Sequence, residues 1–170
     1  MADRLVSQAF GAKGCAVHSP SSQRPGRIAD DLQANCRNCG YNLSTADTVV
    51  NTSPSLIEVY PHTAILNLLK LDFRFPYKVS RSNSYWPHTS LQYRKKSLLE
   101  SFQRIPEALS QEIGGVSIAL PKYGEIHSLT VLKRYEDAID AMICTWTGVK
   151  YLQGKCNAYG DQEAAIWSPT

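Results

Sequence analysis

A chain of 170 residues and 18.9 kDa, 43% hydrophobic and 19% charged, has the composition of a folded protein and the length of a single domain spanning 1–170. Its longest apolar runs, 64–69 and 141–144, fall far short of the roughly 20 residues of a membrane span, which excludes a spanning helix. The net charge of +3 selects no partner class by itself. Its distribution is uneven: 1–69 balances, 70–104 carries a net of +6 and 105–170 a net of −3. A basic middle beside an acidic end suits a polyanion-binding surface next to a metal-binding carboxylate cluster, or a solvated helix face.

The start, "MADRLVSQAFGAKG", lacks the apolar core and small-residue cleavage site of a secretory signal. With five cysteines, an odd number, this predicts a reducing cytoplasm and free thiols. Residues 2–10 read as a short helix with Leu5, Ala9 and Phe10 on one side. The Ser/Pro/Gly-rich stretch 14–26 reads as a loop. Ile28, Leu32 and Cys36, four apart, predict a helix over 27–38 that ends near Gly40.

The segment "LIEVYP" (56–61) is the best strand signal in the chain. Pro61 then suits the first turn of a helix carried on by Ile65, Leu66, Leu68 and Leu69. Residues 71–89 hold aromatics, prolines and basic residues without a period, and predict an ordered irregular loop. From about 90 to 104 a helix is expected, with Leu91, Leu98, Leu99 and Phe102 on one side and Arg94, Lys95 and Lys96 on the other; it continues after Pro106 as far as Gly114. "VSIAL" (116–120) suits a short strand. The strongest pattern is the helix over 128–151, where Tyr135, Ile139, Met142, Trp146 and Val149 form one apolar stripe. The tail ends in an apolar piece suited to an edge strand.

On that last helix Asp137 and Asp140 lie about 60° apart, opposite the apolar stripe, with Glu136 on the same flank. Two carboxylates at i and i+3 can aim at one spot, and hard oxygen ligands suit Mg²⁺ or Mn²⁺. Glu58, centred in the predicted strand, is the candidate for a third ligand, to be found within about 8 Å of the pair. The competing reading is a wet helix face with Lys133 as the ion partner of Asp137. Lys78, Arg94, Lys95 and Lys96 are candidates for neutralising backbone phosphates, with Tyr85, Trp86 and Tyr93 available to stack on bases. Cys36 and Cys39 make half of a zinc site, with only Cys15 and His18 to complete it. His62, after Pro61, reads as a helix-start residue close to Glu58. No phosphate-cradling glycine loop and no Gly-x-Ser-x-Gly elbow is present.

The pair of segments "IEVYPHTAILNLL" and "LKRYEDAIDAMICTWTGVKYLQGKCNAYGDQEAAIWSP", in that order, with the early "ADRLVSQAFGAKG", resembles the family numbered 429 among domains of unknown function. Its members are described as predicted nucleases with a ribonuclease-H-like fold. The resemblance implies a partial ribonuclease-H-like α/β fold, helix-rich with a small remnant sheet, and a metal-dependent nuclease acting on nucleic acid. It matches Glu58 to the family's strand glutamate, and Glu136, Asp137 and Asp140 to its acidic helix motif. Two departures are visible: His62 stands where many members carry a glutamate, and no strand with a Gly-Ile-Asp-like aspartate precedes Asp3-Arg4. The expectation is a truncated member, either an incomplete nuclease or an inactive nucleic-acid-binding or structural remnant.

Overall fold

In the computed structural model, which describes residues 1–19 and 27–170, the chain adopts a helix-rich α/β fold. Helices α1 (Ala2–Phe10) and α2 (Arg27–Asn38) precede strands β1 (Asn42–Leu43), β2 (Ser55–Leu56) and β3 (Glu58–Val59); helices α3 (Pro61–Leu69), α4 (Ser82–Tyr85), α5 (Leu91–Glu112) and α6 (Leu129–Leu152) follow, and strands β4 (Cys156–Gly160) and β5 (Ala165–Pro169) end the chain order. The part of the Ser/Pro/Gly-rich loop over 20–26 lies outside the described residues. No helix among them is long and apolar enough to cross a membrane. All five cysteines are free thiols, as expected.

The main sheet has the order β3-β5-β4, with β3 parallel and β4 antiparallel to β5. The tail strand is therefore central rather than an edge. Its five residues are all buried, and Ala165, Ile166 and Trp167 in succession are what a strand covered on both faces requires. Its partner β4, "CNAYG", gives no alternation to read. The predicted strand 56–61 is real but divided: Ser55–Leu56 pairs with β1 in a separate parallel two-stranded ladder, and only Glu58–Val59 joins the main sheet. Trp167 ties the two together by donating its indole N–H to the Ser44 carbonyl at 3.3 Å, while the Ser44 hydroxyl meets the Tyr151 hydroxyl at 2.6 Å.

The principal core lies between α3, α5 and α6 and holds Ile65, Phe102, Ile105, Leu109, Leu132, Ile139 and Ile143. Pro106 is buried inside α5, which runs through it to Glu112. Residues 116–120 form no strand; Val116, Ile118 and Leu120 pack against this core as irregular chain. On α1 the buried face is Ala2, Val6 and Phe10, not Leu5 and Ala9. On α2 the predicted helix is present but its stripe faces solvent, with Ile28 87% and Leu32 57% exposed.

The segment 71–89 is ordered, as expected, around a 3₁₀ turn at Val79–Arg81 and the short α4. It is anchored at Gly14, where φ is +75° and a Cβ would sit 2.8 Å from the Phe73 ring, so glycine is required. That approach lets the Arg74 N–H donate to the Lys13 carbonyl at 2.8 Å. The segment then crosses the flank of α6, carrying Tyr77, Lys78 and Val79 to its carboxylates.

Candidate carboxylate site on α6

Helix α6 places Glu136, Asp137 and Asp140 so that one oxygen from each lies within 4.8 Å of the others. The spacings i, i+1 and i+4 permit this, because residues three and four apart stand above one another on a helix. The three differ in surroundings. Glu136 is buried, Asp140 is half-buried and Asp137 is exposed. The actual buried face of α6 runs through Leu132, Glu136, Ile139, Ile143, Trp146, Thr147 and Tyr151. It includes a glutamate and a threonine that hydrophobic periodicity passes over, and it leaves Tyr135, Met142 and Val149 only half-buried.

Burial of Glu136 is tolerated because its oxygens are fully engaged. Oε2 accepts the Val79 backbone N–H at 2.7 Å, and Oε1 meets Lys133 Nζ at 2.8 Å and Lys78 Nζ at 3.2 Å. Asp140 accepts the Tyr77 hydroxyl at 2.7 Å on one oxygen and the Lys78 ammonium on the other. Asp137 pairs with Lys133 at 2.5 Å. Burial, then the Asp140 charge and hydrogen bond, push the Tyr77 phenol far above its ordinary range, so it donates and does not ionise. Hydrogen bonds to Asp137 and Glu136 raise the Lys133 ammonium, so it keeps its proton at any physiological pH.

Three carboxylates therefore share two lysines, leaving one net negative charge and, on the solvent side at exposed Asp137, an approach in which Lys133 stands. The donor set fits one hard divalent cation: all ligand atoms are oxygens, and Mg²⁺ commonly binds through one or two carboxylates while keeping several waters. Lys133, with a side chain 49% exposed, blocks that approach and is free to swing into solvent.

Glu58 is not in this group. It sits on β3, exposed, and its carboxyl is held above its ordinary value by partial removal from water and then by the Asp3 charge. Of the candidate phosphate contacts, Lys78 belongs to the carboxylate cluster. Lys95 donates to the Ile126 and His127 carbonyls at 2.8 and 3.1 Å, Arg94 donates to Asn83 at 3.2 Å, and Lys96 is exposed. Cys36 is half-buried and Cys39 exposed near the end of α2. Among the described residues the only cluster of three or more potential metal ligands is the one on α6.

Sequence reasoning missed Tyr77 and the Val79 N–H as partners of the cluster. Their signal was faint: an aromatic, a lysine and a β-branched residue in succession in a loop with no period. Over residues 1–164 the chain matches a family whose description is "Protein of unknown function (DUF429)". The chain belongs to that family. No curated protein and no solved structure matches it.

Proposed function

We propose that this member of the family is a divalent-metal-dependent phosphodiester hydrolase of nucleic acid with a ribonuclease-H-like fold. The observation that carries the reading is the convergence of Glu136, Asp137 and Asp140 within 4.8 Å beside Lys78. Asp137 and Asp140 would hold Mg²⁺ or Mn²⁺, with Glu136 bracing Lys78 and Lys133 beneath them. Such an ion supplies Lewis acidity and an activated water. The protein's own part is positional. Tyr77 fixes the Asp140 carboxylate by donating to one of its oxygens, and the Val79 N–H fixes Glu136. Exposed Lys96 on α5 is the residue best able to neutralise a phosphate backbone, while half-buried Arg94, held by Asn83, would contribute from a different side of the helix. Glu58, whose ionised form is disfavoured by burial and then by the like charge of Asp3, is a separate acidic element that the same assay tests.

Titration calorimetry with Mn²⁺ tests the site. Wild type is expected to bind, Asp137→Asn/Asp140→Asn to lose binding by tenfold or more, and Glu58→Gln to bind like wild type. Equal, weak binding by all three removes the metal site. Hydrolysis of single- and double-stranded DNA and RNA, assayed with and without Mn²⁺, then tests the activity.

The second reading is an inactive nucleic-acid-binding or structural module. It is favoured by the two lysines, since Lys78 and Lys133 already answer most of the negative charge without any ion. Under this reading Mn²⁺ does not bind and nucleic acid binds without being cut.

A further inference from the structure

Away from the carboxylates, the segment 71–89 and helix α5 enclose an open cleft of about 420 Å³. Four aromatic rings line it: Phe73, Phe75 and Trp86 from the segment, and Tyr93 from α5. Phe75 is buried and Trp86 half-buried, whereas Phe73 is 64% and Tyr93 52% exposed. Among the described residues none of these rings pairs with another of the four; Trp86 meets Tyr85, edge-on. Two large exposed rings therefore border one cavity of a size that suits a small ligand.

The exposed rings are held at their backbones. Gly14 comes so close to Phe73 that a Cβ there would lie 2.8 Å from the ring, and the Arg74 N–H donates to the Lys13 carbonyl at 2.8 Å. Tyr93 stands in the first turn of α5, where its own N–H donates to the capping Ser90 hydroxyl at 3.1 Å. An aromatic side chain has only two torsions to lose, so rings fixed in this way take a flat partner at little cost in order.

The rim decides which flat partner fits. Arg104 lies over Phe75, 5.0 Å from the ring centroid. Glu100, one turn earlier on the same face of α5, is exposed and has no cation partner among the described residues. A ligand thus meets a guanidinium suited to phosphate and a carboxylate that accepts from ring N–H groups. Arg74 lines the cleft too, but its guanidinium is already engaged, donating to the Gly14 carbonyl at 3.3 Å and to His62 Nε2.

Charge points to a polyanion. Every lining residue comes from the stretch 70–104. Within it Lys70, Arg81, Lys96 and Arg104 are exposed and pair with no carboxylate among the described residues, against exposed Asp72 and Glu100. A flat ring carried on a polyanion answers both the aromatic walls and this excess of positive charge. A duplex offers no such ring, because its bases are already stacked and paired.

We infer that this cleft binds one unstacked base of a single-stranded nucleic acid. Phe73, Trp86 and Tyr93 supply the stacking surface, Arg104 a contact to a neighbouring phosphate, and Glu100 an acceptor for N–H groups of the base. No metal enters this interaction, so it holds or fails independently of the hydrolysis proposed above, with which it shares only the class of ligand.

The test is fluorescence anisotropy in EDTA, which keeps any metal out of the result, with three labelled probes of equal length. They are a single-stranded oligonucleotide, the same phosphodiester chain with abasic sites in place of its bases, and a duplex. Loss of a stacked base weakens binding about fivefold or more, so the abasic chain and the duplex should both bind more weakly than the single strand by at least that factor. The variant Phe73→Ala/Tyr93→Ala should lose about fivefold or more for the single strand and nothing for the abasic chain. Tyr123→Ala, which removes a ring 47% exposed but outside the cleft, should bind all three like wild type. Trp146 and Trp167 are 3% and 5% exposed, so quenching of tryptophan emission by the single strand, and not by the abasic chain, reports a base beside Trp86.

Equal affinity for the single strand and the abasic chain overturns the site, because charge alone then accounts for binding. Tighter binding of the duplex overturns it as well, as does a double variant that binds like wild type or a Tyr123→Ala variant that loses as much. No saturable binding of any probe ends it. Should the double variant fail to fold, the wild-type contrast between intact and abasic strands, read by anisotropy and by tryptophan quenching, decides by these same criteria.

Discussion

The carboxylate cluster of α6 and the corner where Arg74 Nη2 meets buried His62 Nε2 at 2.5 Å share Tyr77 as a wall, yet they handle polar burial in opposite ways. In the first, buried Glu136 has a backbone N–H and two lysines, and Asp140 has a phenol and a lysine. In the second, a buried imidazole N–H, a guanidinium N–H and a phenol are left without partners. Desolvation makes an unanswered buried charge or donor costly in either place. The cluster meets that cost internally and so rigidifies the crossing of 77–79 over α6. His62, Arg74 and Tyr85 leave it unmet among the protein's own groups. A site already satisfied by its own chain must give something up to take a ligand, whereas an unsatisfied one gains.

The largest expected effect comes from breaking the satisfied side. Lys78→Met removes the ammonium shared by Glu136 and Asp140 and leaves a glutamate side chain only 3% exposed with Lys133 as its one cation beside the Val79 N–H. Loss of one partner from a buried pair costs about 3–5 kcal/mol, and the surviving lysine places this case near the lower end. Arg81→Met, which removes a cation with no carboxylate to answer, should change stability by less than about 0.5 kcal/mol. Urea unfolding of the two variants measures the contrast. Equal losses would mean that the pairing on α6 stabilises nothing.

The next effect is on the pH dependence. Burial and the charges of Arg74, Lys78 and Arg81 push His62 down to about 3 from an ordinary 6.5. Below pH 6.5 the unfolded chain takes a proton that the folded chain refuses, so stability is full above that pH and falls as pH drops towards 3. At about 1.36 kcal/mol per pH unit, the loss from this group at pH 5 is about 2 kcal/mol. Tyr60 and Tyr77, which face the same ring, stay neutral throughout because burial raises both phenols. Carboxylates elsewhere titrate too, so the informative quantity is the difference between wild type and His62→Gln. That variant should show a shallower fall between about pH 6.5 and 5. Parallel curves would mean that His62 is protonated in the folded protein, and Arg74 could not then donate to it.

The contrast between the two corners also explains how much of each was legible in the sequence. The long helix over 128–151 was readable within a residue of its observed bounds, because an apolar repeat at three and four sustained over that length fits a helix and not a strand. The carboxylates on it were readable for the same reason, since helical spacing alone brings Asp137 and Asp140 together. Their depth was not. Glu136 is buried by a loop that reaches it from 57 positions earlier, and no local pattern encodes that. The Arg74–His62 corner was illegible because its members come from a helix start and an aperiodic segment. Its one clue was a histidine directly after Pro61. The central position of Ala165–Pro169 was missed because a short apolar run near the end of a chain reads equally as a covered or an edge strand.

The smallest effect is the one that separates the two readings of α6. Lys133 reaches Glu136 and Asp137 from three and four residues earlier, and its side chain is 49% exposed. Pairs of this kind contribute about 0.2–0.5 kcal/mol each, so Lys133→Ala should cost well under about 1 kcal/mol in a urea titration. Its effect on Mn²⁺ is the informative one. The ammonium holds its proton through neutral pH and stands where a cation would enter, so it competes electrostatically with the ion. A unit charge about 4 Å from a divalent ion in water is worth about 2 kcal/mol, which salt screening roughly halves, leaving about a fivefold change in affinity. If the cluster is a metal site, Lys133→Ala should bind Mn²⁺ about fivefold more tightly than wild type. If the carboxylates serve only to pair with Lys78 and Lys133, removing one lysine leaves a charge that solvent screens at exposed Asp137, and calorimetry registers no Mn²⁺ binding in either protein.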